Sequence, residues 1–363
     1  MVKCVPMSAP VMRAVRIHQH GGLEQLQLES VPIPEPGPGE ARIRVYASGI
    51  NHLDLWVRRG VPGHTFPLPM TPGCDGAGIV DTLGAGVQGW QKGDPVVLAP
   101  GLSCGTCGAC VAGEDHLCAA YGILGETRDG TNAEYVVVPA RNLMAKPENL
   151  DFPAAASFGL TFLTAWHMLF ARAALRPGET ILIHAAGSGV SAAGIQMARL
   201  FGARILVTAG SDEKLQRALD LGADEALSYR DPQWSKTVRR MAGPGGVNVV
   251  FDHVGSDTFG PSLRTLAKGG RYVFCGATSG FEMNADFRPV FFKNISILGS
   301  TMGGQGELRR IRDLVAAGRL KPVVEKVLPL ESVADAHAML EARQAFGKVV
   351  LSLEPQRQAP ANS

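Results

Sequence analysis

The chain has 363 residues, of which 45% are hydrophobic and 19% charged, and a formal net charge of +2. This composition is that of a globular protein with enough chain for two domains, and it excludes a disordered, charge-dominated one. Lysines and arginines are scattered, which leaves no basic footprint for nucleic acid or for an anionic membrane surface.

In chain order, the opening "MVKCVPMSAP" has no apolar core that would serve as a signal peptide, and no apolar run approaches the roughly 18 residues of a membrane helix. A cytoplasmic location is expected. The first third is rich in Gly and Pro. Its short apolar runs "ARIRVYASGI", "GAGIVDTLG" and "DPVVLAP" are separated by turn residues such as "PEPGPGE" and "WQKGD". Short antiparallel strands in a barrel-like arrangement are expected there.

Within this region Cys104, Cys107, Cys110 and Cys118 have the spacing C-x2-C-x2-C-x7-C. In a reducing compartment such spacing points to metal more than to disulfides. Four thiolates fill a tetrahedral zinc shell and leave no open position for water or substrate, so one structural zinc is expected, tethering the loop. Cys4 and Cys275 lie elsewhere and read as small apolar fillers.

From about residue 155 the pattern changes. "ETILIHAAGSG" reads as a buried strand entering a glycine loop, and "VSAAGIQMARLFG" as the helix that follows. "ARILVTAGS" and "SDEKLQRALDLGA" repeat the strand and helix, and "VNVVFDHVG", "GGRYVFCGA" and "ISILGST" continue the alternation. Such alternation implies a parallel, doubly wound sheet. After "GSTMGG" come a helix, "GELRRIRDLVAAG", and a closing strand, "GKVVLSL", expected to return to the first domain. The expected division is 1–157 plus 303–363, and 158–302. The tail "EPQRQAPANS" is expected to be disordered.

"HAAGSGVSAAG" sets Gly187 and Gly189 at a strand end, with Ser188 and Val190 beside them and Ala192 at the third small position of G-x-G-x-x-G/A. Small residues let the backbone approach a pyrophosphate, and the helix N-terminus favours its charge. At the end of the second strand, where an NAD enzyme carries a carboxylate, stands Ala209, followed by Gly210, Ser211 and Lys214. No acid repels a 2′-phosphate, and Ser211 and Lys214 offer a donor and a charge, so NADP(H) is the expected cofactor. Alternatively Ser211 is only a helix cap and Lys214 a surface charge.

Together these segments, with "FPLPMTPGCDGAGIV" and "VVFDHVG", resemble the medium-chain dehydrogenase/reductase superfamily across residues 12–352. The resemblance implies an α/β protein with an N-terminal GroES-like β-barrel domain and a Rossmann domain, the C-terminus returning to the first. Zinc alcohol dehydrogenases of this family also hold a catalytic zinc. At the matching positions this chain has Asn51, Cys74 and Leu160, with Asp75 in place of a Glu. Leu53 stands where the alcohol proton relay usually starts. Asn is a poor zinc ligand and Leu is none, so the catalytic zinc is expected to be absent. Cys74 then reads as a core thiol, and His52, Asp54 and Asp75 as hydrogen-bonded scaffold.

Hydride addition to a conjugated enone or quinone spreads charge as an enolate and needs only a few aimed donors. Asn51, matching an Asn of the zinc-free quinone reductases, either donates to that oxygen or satisfies local backbone. By the same resemblance Thr164 packs on the nicotinamide, Tyr229 lies near the 2′-phosphate or adenine, and Ser300 and Thr301 lie where the last Rossmann strand leaves the cofactor. Zinc-free reductases of this group usually lack the cysteine lobe, which this chain keeps.

The expected activity is NADPH-dependent reduction of an activated double bond in a small molecule: an enone, enal, enoyl thioester or quinone. A zinc alcohol dehydrogenase with an unusual metal set (Cys74, Asp75 and His52) and a non-catalytic NADPH-binding protein are the alternatives. The family implies a homodimer, or tetramer, with edge pairing through "ISILGST".

Overall fold

The computed structural model describes residues 10–354. The expectations for Cys4 and for the tail beyond Glu354 lie outside these residues.

The first unit is built on β1 (Glu40–Ile50). Ala41, Ile43, Val45 and Ala47 are buried while the residues between them are partly exposed, the period-two pattern of a strand with one face on a core. β2 (Asp75–Leu83) pairs with it antiparallel, and Pro95–Leu98 and Leu143–Ala145 extend the sheet. Helix α1 (His52–Arg59) leaves the end of β1 directly. Asp54 at its third position accepts the Asn51 N–H at 2.7 Å, satisfying a donor that the helix start would otherwise orphan.

Helix α2 (Gly159–Trp166) leads into the second unit. There β3 (Thr180–Ile183), α3 (Gly189–Leu200), β4 (Arg204–Ala209), α4 (Asp212–Asp220) and β5 (Glu225–Ser228) form two successive βα crossovers. β6 (Val247–Asp252), β7 (Leu266–Phe274) and β8 (Ser296–Gly299) complete a six-stranded parallel sheet of order β5-β4-β3-β6-β7-β8. The order reverses between β3 and β6, and a crevice opens at such a switch point. Ile181, Leu182 and Ile183 of β3 are fully buried, as expected of a strand covered on both faces.

The helical stretch Phe152–Arg172 is 21 residues long and apolar enough by composition to cross a membrane, which corrects the expectation that no run approaches that length. Inside the protein 72% of its apolar window is buried. It packs on α3 and on the helix Gln305–Ala316, so it is a core helix of the fold.

The chain then returns to the first unit. β9 (Lys348–Ser352) pairs antiparallel with β1, matching Val349 to Ile50 and Leu351 to Ser48, and lies parallel to Val324–Pro329. Gly347, just before it, has φ +92° and donates its N–H to the Gly187 carbonyl at 2.9 Å. A Cβ there would sit 2.4 Å from the Val323 oxygen, so only glycine fits. One hydrophobic core spans both units, running from Val45 and Ala77 through Ile183 and Val207 to Val349. At the outer edge β8 exposes Ile297, and the short helix before it, Arg288–Phe292 with its N-cap Phe287, exposes Phe287, Phe291 and Phe292.

Candidate active site

Between the two units lies a cleft of about 300 Å³ over the turn that joins β3 to α3. Gly187, Ser188, Gly189 and Val190 line it. Ser188 has extended backbone geometry, and the α3 amides begin immediately after it, so free N–H groups and the positive end of the helix dipole face the cleft. Two lysines flank the turn. Lys214 Cδ lies 2.9 Å from where a Cβ on Gly187 would be, and Lys348 Cδ lies 3.3 Å from one on Gly189.

Lys214 and Tyr229 line the cleft as the sequence implies, and Arg343 joins them. Lys214 Nζ donates to the Arg343 carbonyl at 2.6 Å, and burial lowers its pKa from the ordinary lysine value. Ala209 is buried at the end of β4, with no carboxylate at the ribose position. The remaining expected cofactor residues lie outside the lining. Thr164 is buried, and Thr161, one turn earlier, faces the cleft. Ser211 Oγ accepts the Lys214 N–H at 3.4 Å as a helix cap. Ser300 and Thr301 follow β8, and the Ser300 N–H bonds the Phe274 carbonyl at 2.9 Å.

At the floor of the cleft and directly behind it the fold gathers Asn51, Cys74, Asp75 and Leu160 from three separate stretches. Lys348 joins them from β9. Its Nζ lies 2.6 Å from Asn51 Oδ1 and 2.9 Å from Asp75 Oδ2. The two charged side chains are 4% and 1% exposed, so the ion pair is out of water. Asp75 also accepts the Leu160 N–H at 2.7 Å and Asn51 Nδ2 at 3.0 Å. Asn51 Nδ2 further lies 3.2 Å from both the Gly49 carbonyl and Cys74 Sγ. Cys74 is fully buried, which pushes its thiol well above the ordinary value.

Such a floor does not fit a metal. A metal needs lone pairs facing inward, whereas an ammonium, an amide NH₂ and a backbone N–H occupy those directions. The scaffold reading describes Asp54, which accepts from Asn51 and from the Gly73 N–H at 2.9 Å. Burial pushes its carboxyl up to about 6. His52 departs from that reading, because it is exposed and lines the cleft at the first position of α1.

The cysteine lobe lies elsewhere. Cys104, Cys107, Cys110 and Cys118 bring their sulfurs within 4.8 Å of one another. Cys104 lies 3.8 Å from Cys110 and 3.6 Å from Cys118, and Cys107 lies 3.5 Å from Cys110. Sulfurs about 2.3 Å from one central zinc stand about 3.8 Å apart, so the cluster fits that ion. Backbone N–H groups of Thr106 and Cys107 hold the Cys104 thiol down at about 5, which favours the thiolate a metal needs.

Sequence reasoning missed Lys348, Arg343 and Thr161. For Lys348 a signal existed: "GKVVLSL" puts a lysine at the head of an otherwise apolar strand, and a buried lysine is rare without a partner. Nothing local in the sequence distinguishes Arg343 or Thr161.

The profile of the alcohol dehydrogenase GroES-like domain matches residues 37–148, and that of the zinc-binding dehydrogenase family matches 189–317. The quinone oxidoreductase of Homo sapiens is 30% identical over 351 residues, covering 94% of this chain and 98% of its own. A crystal structure of an NAD-dependent alcohol dehydrogenase is 53% identical, with a TM-score of 0.91 over 94% of this chain and 100% of the other. A crotonyl-CoA carboxylase/reductase structure is 29% identical, with a TM-score of 0.88 over 94% of this chain and 88% of the other. The chain is an oxidoreductase and belongs to the medium-chain dehydrogenase/reductase superfamily, whose members bind NAD(P)(H) and zinc.

Proposed function

We propose that this protein reduces an activated double bond, in an enone, enal, enoyl thioester or quinone, with NADPH and without a catalytic metal. The observation that carries this reading is the buried Asp75–Lys348 pair bonded to Asn51 at the floor of the cleft. The lysine already neutralises the one carboxylate there, so the floor offers a divalent ion no net negative charge to bind. A conjugated acceptor spreads the charge of hydride addition, so fixed donors suffice where a simple ketone needs a metal. The names of the quinone oxidoreductase and crotonyl-CoA carboxylase/reductase relatives support the same class.

NADPH is favoured over NADH because Lys214, Arg343 and Tyr229 share the cleft and no carboxylate follows β4. One zinc belongs to the cysteine lobe, and its thiolates suit the reducing cytoplasm. A second copy of the chain pairs along β8, where the edge strand is open and aromatic side chains are bare.

A second reading rests on the 53% identical structure named an NAD-dependent alcohol dehydrogenase. In that case alcohol oxidation with NAD⁺ would be the main activity. Metal content, measured beside oxidation of NADPH and NADH by 1,4-benzoquinone and trans-2-hexenal and reduction of NAD⁺ by 2-propanol and cyclohexanol, separates the two. About one zinc per chain and NADPH-dependent turnover of the conjugated acceptors are expected. Two metals per chain with alcohol-dependent NAD⁺ reduction would replace this reading by the second.

A further inference from the structure

We propose that Lys348, rather than Asn51, is the catalytic group that receives the substrate's developing oxyanion. The inference deepens the proposed reduction of conjugated carbonyls and rests on it for the identity of that oxygen.

The orientation of Asn51 follows from its neighbours. An ammonium can only donate, so the atom 2.6 Å from Lys348 Nζ is the amide oxygen. A carboxylate can only accept, so the atom 3.0 Å from Asp75 Oδ2 is the amide nitrogen. The two hydrogens on that nitrogen already have Asp75, the Gly49 carbonyl and Cys74 Sγ as acceptors. None remains for a substrate. Asn51 is therefore a positioning residue that fixes Lys348.

Lys348 has three N–H groups. Asn51 Oδ1 and Asp75 Oδ2 take two, which leaves the third for a group entering the cleft that the side chain lines. The stem threads between two glycines. Its Cε lies 3.2 Å from where a Cβ on Gly49 would be, and its Cδ 3.3 Å from one on Gly189. Asp75 is held in turn by the Leu160 N–H. The cation is thus fixed and shielded from water before any substrate enters, the condition under which a donor stabilises an oxyanion most.

Reduced nicotinamide cofactor, when bound, supplies a hydride. The substrate gains that hydride at the carbon β to its carbonyl, and the π pair of the C=C bond moves toward the carbonyl oxygen. The resulting enolate oxygen lies against the Lys348 ammonium, which keeps its proton. A proton from solvent water at the α carbon completes the saturated carbonyl. Charge and atoms balance without a metal.

The competing role for Lys348 is an anchor for the cofactor pyrophosphate, since its stem passes the glycine turn. 4-Nitrophenol distinguishes the two, because its phenolate mimics a flat, delocalised enolate and absorbs visibly. It is titrated against excess protein, with the ionised fraction of the bound phenol read across pH, and NADPH affinity is measured by fluorescence. In the wild type the bound phenol should ionise at least roughly tenfold more readily than in solution. Lys348→Met should abolish the shift and Lys348→Arg should retain it. Lys348→Met combined with Asp75→Asn, which leaves no lone buried charge, should lose it as well. A shift that persists in both methionine variants, or no shift in the wild type, overturns the assignment. So does a tenfold loss of NADPH affinity in Lys348→Met with the phenol unaffected. An intact shift in a wild type that reduces neither benzoquinone nor hexenal would sink the proposed reaction alone and leave Lys348 as the oxyanion's partner.

Discussion

Lys214 lies across the glycine turn, its stem over Gly187 and its ammonium on the Arg343 carbonyl. Released from that carbonyl, the same ammonium is a donor for a 2′-phosphate, and a charge-assisted bond of this kind contributes roughly 1.5–3 kcal/mol. Lys214→Ala is therefore expected to weaken NADPH binding by about tenfold or more, with NADH affinity unchanged. Fluorescence titration with both cofactors checks it, and equal losses for the two would remove Lys214 from the discrimination. The glycine turn was legible in the sequence because its chemistry is local: a strand end, small residues and a helix start within a few positions. Lys348 was not. Its partners Asn51 and Asp75 lie 297 and 273 residues away, and no pattern read along the chain reports a pairing at that distance. Asn51 was identified as the odd residue at its position, but its donors face Asp75 and Gly49, which only the folded register decides.

The cysteine lobe is held to the rest of the molecule by a few polar contacts. Arg141 Nη1 donates to the Cys104 carbonyl at 3.0 Å, and Asp115 Oδ1 accepts the Gln305 N–H at 3.0 Å, the first residue of the helix Gln305–Ala316. His116 stacks edge-on against His167 with ring centroids 4.4 Å apart. The lobe contains only the short helical turns Gly108–Val111 and Asp115–Leu117, with few buried apolar side chains, so its order depends on what its thiolates bind. Cys107→Ser is expected to abolish the zinc binding proposed for the lobe and to lower the thermal midpoint by roughly 5 °C. Cleavage by a protease between residues 104 and 118 should become faster while the Rossmann unit stays resistant. Metal analysis, thermal scanning and limited proteolysis measure each effect. The spacing of the four cysteines made this element readable, since thiols two residues apart suffice to define half a tetrahedron.

Across the whole molecule, the parallel sheet was readable from alternating strand and helix patterns, and the observed order β5-β4-β3-β6-β7-β8 follows from right-handed crossovers on both sides of β3. The burial of Phe152–Arg172 was harder to read, because a helix with a single charged residue, Arg172 at its end, looks alike whether lipid or protein surrounds it. The outer edge at β8 carries an open ladder, Ile297 at 36% exposure and Phe292 at 70%. Joining two such edges would continue the sheet across a twofold axis and cover the aromatics. The wild type is expected to sediment at about twice the 38.4 kDa of one chain, and Ile297→Lys to sediment as a single chain. A wild-type monomer at micromolar concentration would dismiss the edge as an interface.

The backbone bond from Gly347 to Gly187 and the ammonium of Lys348 reach the cleft from the last strand of the fold. In chain order that strand follows the whole of the parallel sheet and the cysteine lobe. A nascent chain with a well-formed Rossmann unit still lacks the floor of its own reaction chamber. A stop before Gly347 would remove β9, and with it the bond to Gly187 and the Lys348 side chain under the cleft.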